Sequence, residues 1–108
     1  VIFTAASFSP NASKHKGEPR EGGLLHVSDA HAFRPVRTGV TLLYRIREMW
    51  PRQFRWKPRD GKPRRFISLL AGCGAFEDEP PAPEALLAAW EADSAAFARR
   101  KAAYHLYK

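Results

Sequence analysis

Apolar positions along the chain change period several times, and each change predicts an element. Residues 1–6 (VIFTAA) are apolar and partly β-branched, which predicts a first strand. Residues 7–23 carry Pro10, Asn11, Ser13, Gly17, Pro19, Gly22 and Gly23, which break any period and predict a long loop. Residues 24–28 (LLHVS) predict a second strand, with Leu25 and Val27 on one face and Leu24 and His26 on the other. A turn follows over 29–33. Pro35 then opens a helix that runs to about Trp50, because proline suits the first helical turn and Pro51 disfavours a helical residue before it. Val36, Val40, Leu43 and Trp50 fall on one stripe of that helix, interrupted by Arg47. Thr38, Thr41, Arg45 and Glu48 fall on the opposite face.

The second half of the chain follows the same logic. Residues 51–64 are basic, with Phe54 and Trp56 two apart, and predict a short strand or an extended segment. Residues 65–71 predict a short helix, with Phe66, Leu69 and Leu70 inward and Gly72 just past its end. Residues 74–83 form an acidic, proline-rich connector. Residues 84–104 predict a second long helix on the three- and four-residue steps of Leu87, Trp90, Ser94, Phe97, Lys101 and Tyr104. Glu84 near its start and Arg99, Arg100 and Lys101 near its end suit the helix dipole. Strands and helices do not alternate, so the expected class is α+β: a small mixed sheet of two to four strands packed against two long helices and one short helix.

Composition adds three constraints. At 108 residues the chain is one domain, 1–108, with a modest core that needs no metal or disulfide. The single cysteine, Cys73, excludes an internal disulfide and cysteine-based zinc motifs, and its Gly-Cys-Gly context reads as turn or packing. The opening Val1-Ile2-Phe3-Thr4 has no basic stretch and does not read as a signal peptide; it reads as the interior of a longer chain. The net charge of +7 is unevenly spread. Residues 34–65 hold eleven Lys or Arg against Glu48 and Asp60, whereas residues 77–93 hold six acids and no base. Such a stripe is either a solvated face against an acidic neighbour or a surface for nucleic acid or another polyanion. Phe54 and Trp56 beside it read as core more than as base-stacking platforms.

The densest chemistry lies in residues 8–17 (FSPNASKHKG). Ser13, Lys14 and His15 place a hydroxyl, an ammonium and an imidazole in succession, with Gly17 two residues on. Lys14 offers donors to a carboxylate, and His15 can donate, accept or shuttle a proton near neutral pH. Together they suit a ligand bearing both hydroxyls and a carboxylate. His26 on a strand and His31 in a turn read as structural groups, and no helical His pair or nearby Glu completes a zinc site. No two carboxylates stand out as an acid and base pair for glycoside cleavage.

These segments resemble, in order, the C-terminal domain of the NamZ-type exo-β-N-acetylmuramidases. The resemblance rests on Phe8-Ser9-Pro10 with Ser13-Lys14-His15-Lys16-Gly17, then Leu25-His26-Val27-Ser28-Asp29, then Phe33-Arg34-Pro35-Val36-Arg37-Thr38-Gly39. Phe66-Ile67-Ser68-Leu69-Leu70-Ala71-Gly72 and the segment from Trp90 to Tyr107 complete it. The chain departs from the family pattern at Ala12, where an aromatic is usual, and at Pro19, Arg20 and Glu21, where a cysteine is common. The connector over 74–83 stands where a short helix is expected.

The resemblance implies an accessory domain of a two-domain enzyme that removes terminal N-acetylmuramic acid from peptidoglycan fragments. Its partners would be a Rossmann-like N-terminal catalytic domain of the same polypeptide and a peptidoglycan-derived sugar. It implies no metal or organic cofactor, no catalytic residue in this chain, an inactive isolated domain, and a secreted or periplasmic setting. Ser13, Lys14, His15 and Gly17 would face the cleft, with Arg34 and Arg37 as further candidates for substrate contact or domain docking. The alternative is a basic nucleic-acid or polyanion-binding module.

Overall fold

The β-branched and aromatic start of the chain forms strand β1, Ile2–Phe8, which pairs antiparallel with β2, Arg20–His26. These features come from a computed structural model that describes residues 1–58, 60–61 and 64–107. The basic positions Arg59 and Lys62, part of the charged stretch singled out above, lie outside the described residues, as does Lys108. The chain divides into two units, Val1–Pro35 and Val36–Lys108.

In the first unit the register runs from Ile2 opposite His26 to Phe8 opposite Arg20. Both strands extend further into the expected loop than their composition suggests. β2 begins at Arg20, four residues before Leu24, and takes Gly22 and Gly23 into the ladder. The reason is a close approach: a Cβ on Gly22 would sit 3.1 Å from Phe8 Cε1, so the Phe8 ring lies over the bare backbone there. Glycine in this strand is thus a seat for a ring and not a break. The connection shrinks to residues 9–19. Thr4 Oγ1 and the His26 ring Nε2 lie 2.9 Å apart, a diagonal pair on one face of the hairpin.

The second unit is helical. Helix α1, Pro35–Met49, presents Val40, Leu43, Tyr44 and Arg47 on one side at three- and four-residue steps. Val40 and Tyr44 are buried, while Val36 and Trp50, expected on the inner stripe, are 59% and 47% exposed. The stripe is displaced by one residue toward Tyr44, whose hydroxyl donates to Pro81 O at 2.6 Å. Burial pushes the Tyr44 phenol above its usual range, Arg47 opposes this and Glu79 adds to it. Residues 51–58 form no strand. Trp56 packs against the core, as its aromatic character suggests, through rings 5.2 Å from Phe76 and 4.9 Å from Phe54.

Helix α2, Phe66–Ala71, ends on Gly72 at φ 69°, the left-handed conformation that glycine adopts without a Cβ clash. Its inner side is Ile67, Ser68 and Ala71, whereas Phe66, Leu69 and Leu70 face outward. Helix α3, Pro83–Lys101, starts on a proline and buries Leu86 and Leu87, with Trp90 against the same core. From Glu91 onward every α3 side chain is exposed, so the expected stripe through Ser94, Phe97 and Lys101 is not part of the core formed by the described residues. A short 3₁₀ turn, Ala102–Tyr104, follows. The centre of the core is Phe76, 1% exposed, within the segment that reads as a connector.

Candidate functional site

The loop over 9–19 is built by its backbone. Gly17 N donates to Pro10 O at 2.7 Å and Glu18 N donates to His15 O at 3.1 Å, which folds the loop back on itself. Ser13, His15 and Gly17 take positive φ values of 62°, 61° and 77°. Glycine bears this freely, but each of the other two pays roughly 1–2 kcal/mol for it. Non-glycine residues held in that region mark places where the surrounding bonds dictate the conformation. The result is a loop that presents Ser13, Lys14 and His15 to solvent together. Lys14 forms no hydrogen bond or ion pair with another described residue.

His15 has neighbours that its sequence context did not announce. Arg20 Nη2 donates to His15 Nδ1 at 2.6 Å, and Glu18 Oε2 lies 3.1 Å from the same nitrogen. Arg20 and Glu18 are themselves in close ion-pair contact. Arg20 is the first residue of β2, so strand pairing sets its position, and Glu18 follows the Gly17 turn. Charge alternation over Glu18, Arg20 and Glu21 was the available signal, but a polar run on a loop reads equally as solvated surface.

Arg34 Nη1 donates to His31 O at 2.9 Å, in the turn that Asp29 closes by accepting from the His31 and Ala32 amides at 2.9 and 3.1 Å. Arg37 belongs to the helical unit. Its guanidinium lies 3.2 Å from Glu84 Oε2 and 3.6 Å from Glu91 Oε1, tying α1 to α3. These groups are largely exposed, so the pairs add little stability. The four loop candidates therefore stand together, while Arg34 and Arg37 each have protein acceptors of their own.

Part of the basic stretch is likewise answered from within. Arg47 meets Glu79 at 2.5 Å and Arg45 meets Glu48 at 2.9 Å. Arg65 donates from Nη1 to Phe76 O at 2.8 Å, and its amide meets both Glu77 oxygens at 3.1 Å. The acidic segment after Gly74 is the neighbour that this positive face fits. The Ser68 hydroxyl and then the Arg65 amide hold the Glu77 carboxyl below its ordinary value. The amide contact is the firmer of the two, since buried Ser68 Oγ meets no partner at full hydrogen-bond geometry. An open groove of about 650 Å³ runs beside this segment, with Tyr44, Arg47, Phe54, Trp56 and Glu79 in its walls.

Among the described residues no three His, Cys, Asp or Glu side chains gather as a metal site. No described helix is long and apolar enough to cross a membrane. Cys73 is a half-buried free thiol.

Comparison with known proteins bears out the family resemblance. The peptidoglycan β-N-acetylmuramidase NamZ of Bacillus subtilis (strain 168) is 41% identical over 54 residues, which is 50% of this chain and 13% of that protein. No solved structure matches. The family model described as exo-β-N-acetylmuramidase NamZ, C-terminal, matches residues 1–107, and the chain belongs to that family.

Proposed function

We propose that this chain is the C-terminal domain of an exo-acting glycoside hydrolase that releases terminal N-acetylmuramic acid from peptidoglycan fragments. Its role is to complete the substrate cleft of an N-terminal catalytic domain in the same polypeptide. The observation that carries this is the 9–19 loop, where a hydroxyl, an ammonium and an imidazole are displayed on backbone that is fixed in costly conformations. Lys14 supplies a charge-assisted partner for the lactyl carboxylate of muramic acid, and Ser13 and His15 bond sugar hydroxyls. Gly17 lets the loop turn back, and Arg34 and Arg37 contribute to substrate contact or to docking.

Six of the eleven carboxylates are engaged in a way that favours binding or structure over acid–base work. Glu18, Glu48, Glu77, Glu79, Glu84 and Glu91 are all engaged with arginine guanidinium or amide groups. The same pairs draw charge away from the polyanion-binding alternative. The test is His15→Ala in the full polypeptide, assayed on a muramic-acid-terminated disaccharide with circular dichroism as a control for folding. We expect kcat/KM to fall about tenfold or more, the worth of one contact of ~1.4 kcal/mol in the transition state. Unchanged turnover would remove His15 from the cleft.

A further inference from the structure

We propose that Arg20 and Glu18 are positioning residues that lock the His15 imidazole with its proton on Nε2, so that the ring offers a fixed N–H donor to the ligand. This rests on the reading of His15 as a cleft residue and specifies what that residue does there.

Two contacts compete for one nitrogen. Nδ1 has either a lone pair or a proton. Arg20 has only donors to offer, so at 2.6 Å it requires the lone pair. Glu18 at 3.1 Å would instead accept a proton from Nδ1. Arg20 decides between them, because its guanidinium also binds the Glu18 carboxylate and meets the acceptor demand of that group. Nδ1 is then the acceptor, and the proton sits on Nε2. Which ring nitrogen carries the proton is set by the bond that the other one makes.

The backbone makes the arrangement specific. His15 is held at φ 61°, and the Glu18 N to His15 O bond fixes how far Glu18 stands from the ring. Arg20 is fixed from the other side by pairing with Phe8 across the hairpin. The exposed ion pair adds little to the stability of the fold. Its effect is local: it favours one tautomer and one ring orientation of His15.

The proposal has a direct readout in the full polypeptide labelled with 15N-histidine. His15 signals are identified by their loss in His15→Gln, and spectra are taken where the ring is neutral. The wild type shows a protonated Nε2 and an unprotonated Nδ1. In Arg20→Met the Glu18 carboxylate is released toward Nδ1, and the proton moves there. Arg20→Lys, which keeps a donor, holds the wild-type tautomer, and the Glu18→Leu, Arg20→Met double variant, which has no acceptor beside the ring, loses the Nδ1–H preference. An Arg20→Met spectrum with Nε2 still protonated and Nδ1 bare overturns the proposal.

Activity on the muramic-acid-terminated disaccharide separates the two levels. If the tautomer switches and turnover is unchanged in both Arg20→Met and His15→Ala, the cleft role falls and the lock stands. If His15→Ala lowers turnover while Arg20→Met leaves the tautomer unchanged, the lock falls and the cleft role stands. With both correct, Arg20→Met lowers kcat/KM about tenfold and Arg20→Lys recovers most of it.

Discussion

At Glu77 a single carboxylate holds two stretches of chain. Both of its oxygens lie 3.1 Å from the Arg65 amide, and the Arg65 side chain returns to Phe76 O. The nearby Ser68 hydroxyl, then that amide, lower the Glu77 pKa from 4.5. Because the folded value is depressed, the stabilisation is complete above the unfolded value and is lost as pH falls through the folded one. Glu77→Gln keeps the shape and removes the titration. The expected result is a Tm that depends less steeply on pH below about 4.5 than in the wild type. Parallel Tm curves for the two proteins would show that the carboxylate is not linked to folding. None of this was legible in the sequence, where Glu77, Asp78 and Glu79 before Pro80 form a run without period and read as solvated connector.

Elements with a strong period were legible, and their inner faces less so. The sequence places both long helices, the short one and two strands close to where they lie. It fails where a contact replaces a period. The β2 start is hidden by Gly22 and Gly23, which read as loop until the Phe8 ring is seen above them. Phe76 is hidden because one aromatic among acids and prolines has no neighbours at helical or strand spacing. The candidate site divides the same way: Ser13, Lys14, His15 and Gly17 lie within five residues on one loop, but the contacts of Glu18 and Arg20 with His15 depend on a turn and a strand end. Phe76 fills the gap among α1, Trp56 and Trp90, with rings 5.2 and 6.4 Å away. Its truncation to alanine removes the most buried large side chain of a small core and should cost about 3–5 kcal/mol. Urea unfolding of Phe76→Ala would measure this, and a loss below about 1 kcal/mol would mean that the core closes over the gap.

In each unit taken by itself, large apolar side chains stand exposed among the described residues. Ile2, Phe3, Phe8 and Leu24 on the hairpin are each at least half exposed, and so are Phe97, Tyr104, Leu106 and Tyr107 on and after the outer half of α3. A two-stranded hairpin is marginal by itself, and an apolar side chain left in water forgoes roughly 1.5–3 kcal/mol of burial. Natural domains seldom leave so many large apolar groups open without a partner to cover them. The family to which the chain belongs is defined as the C-terminal part of a longer enzyme, and the aligned stretch is only 13% of the Bacillus subtilis relative. An N-terminal domain seated on these residues is therefore the occupant we expect. The 108-residue polypeptide alone should then bind an apolar fluorescent dye strongly and self-associate as its concentration rises, whereas the full polypeptide should do neither. Sedimentation velocity and dye titration on both would decide it. A 108-residue chain that stays monomeric and dark would mean that these side chains find cover within the domain itself, and would overturn the docking expectation.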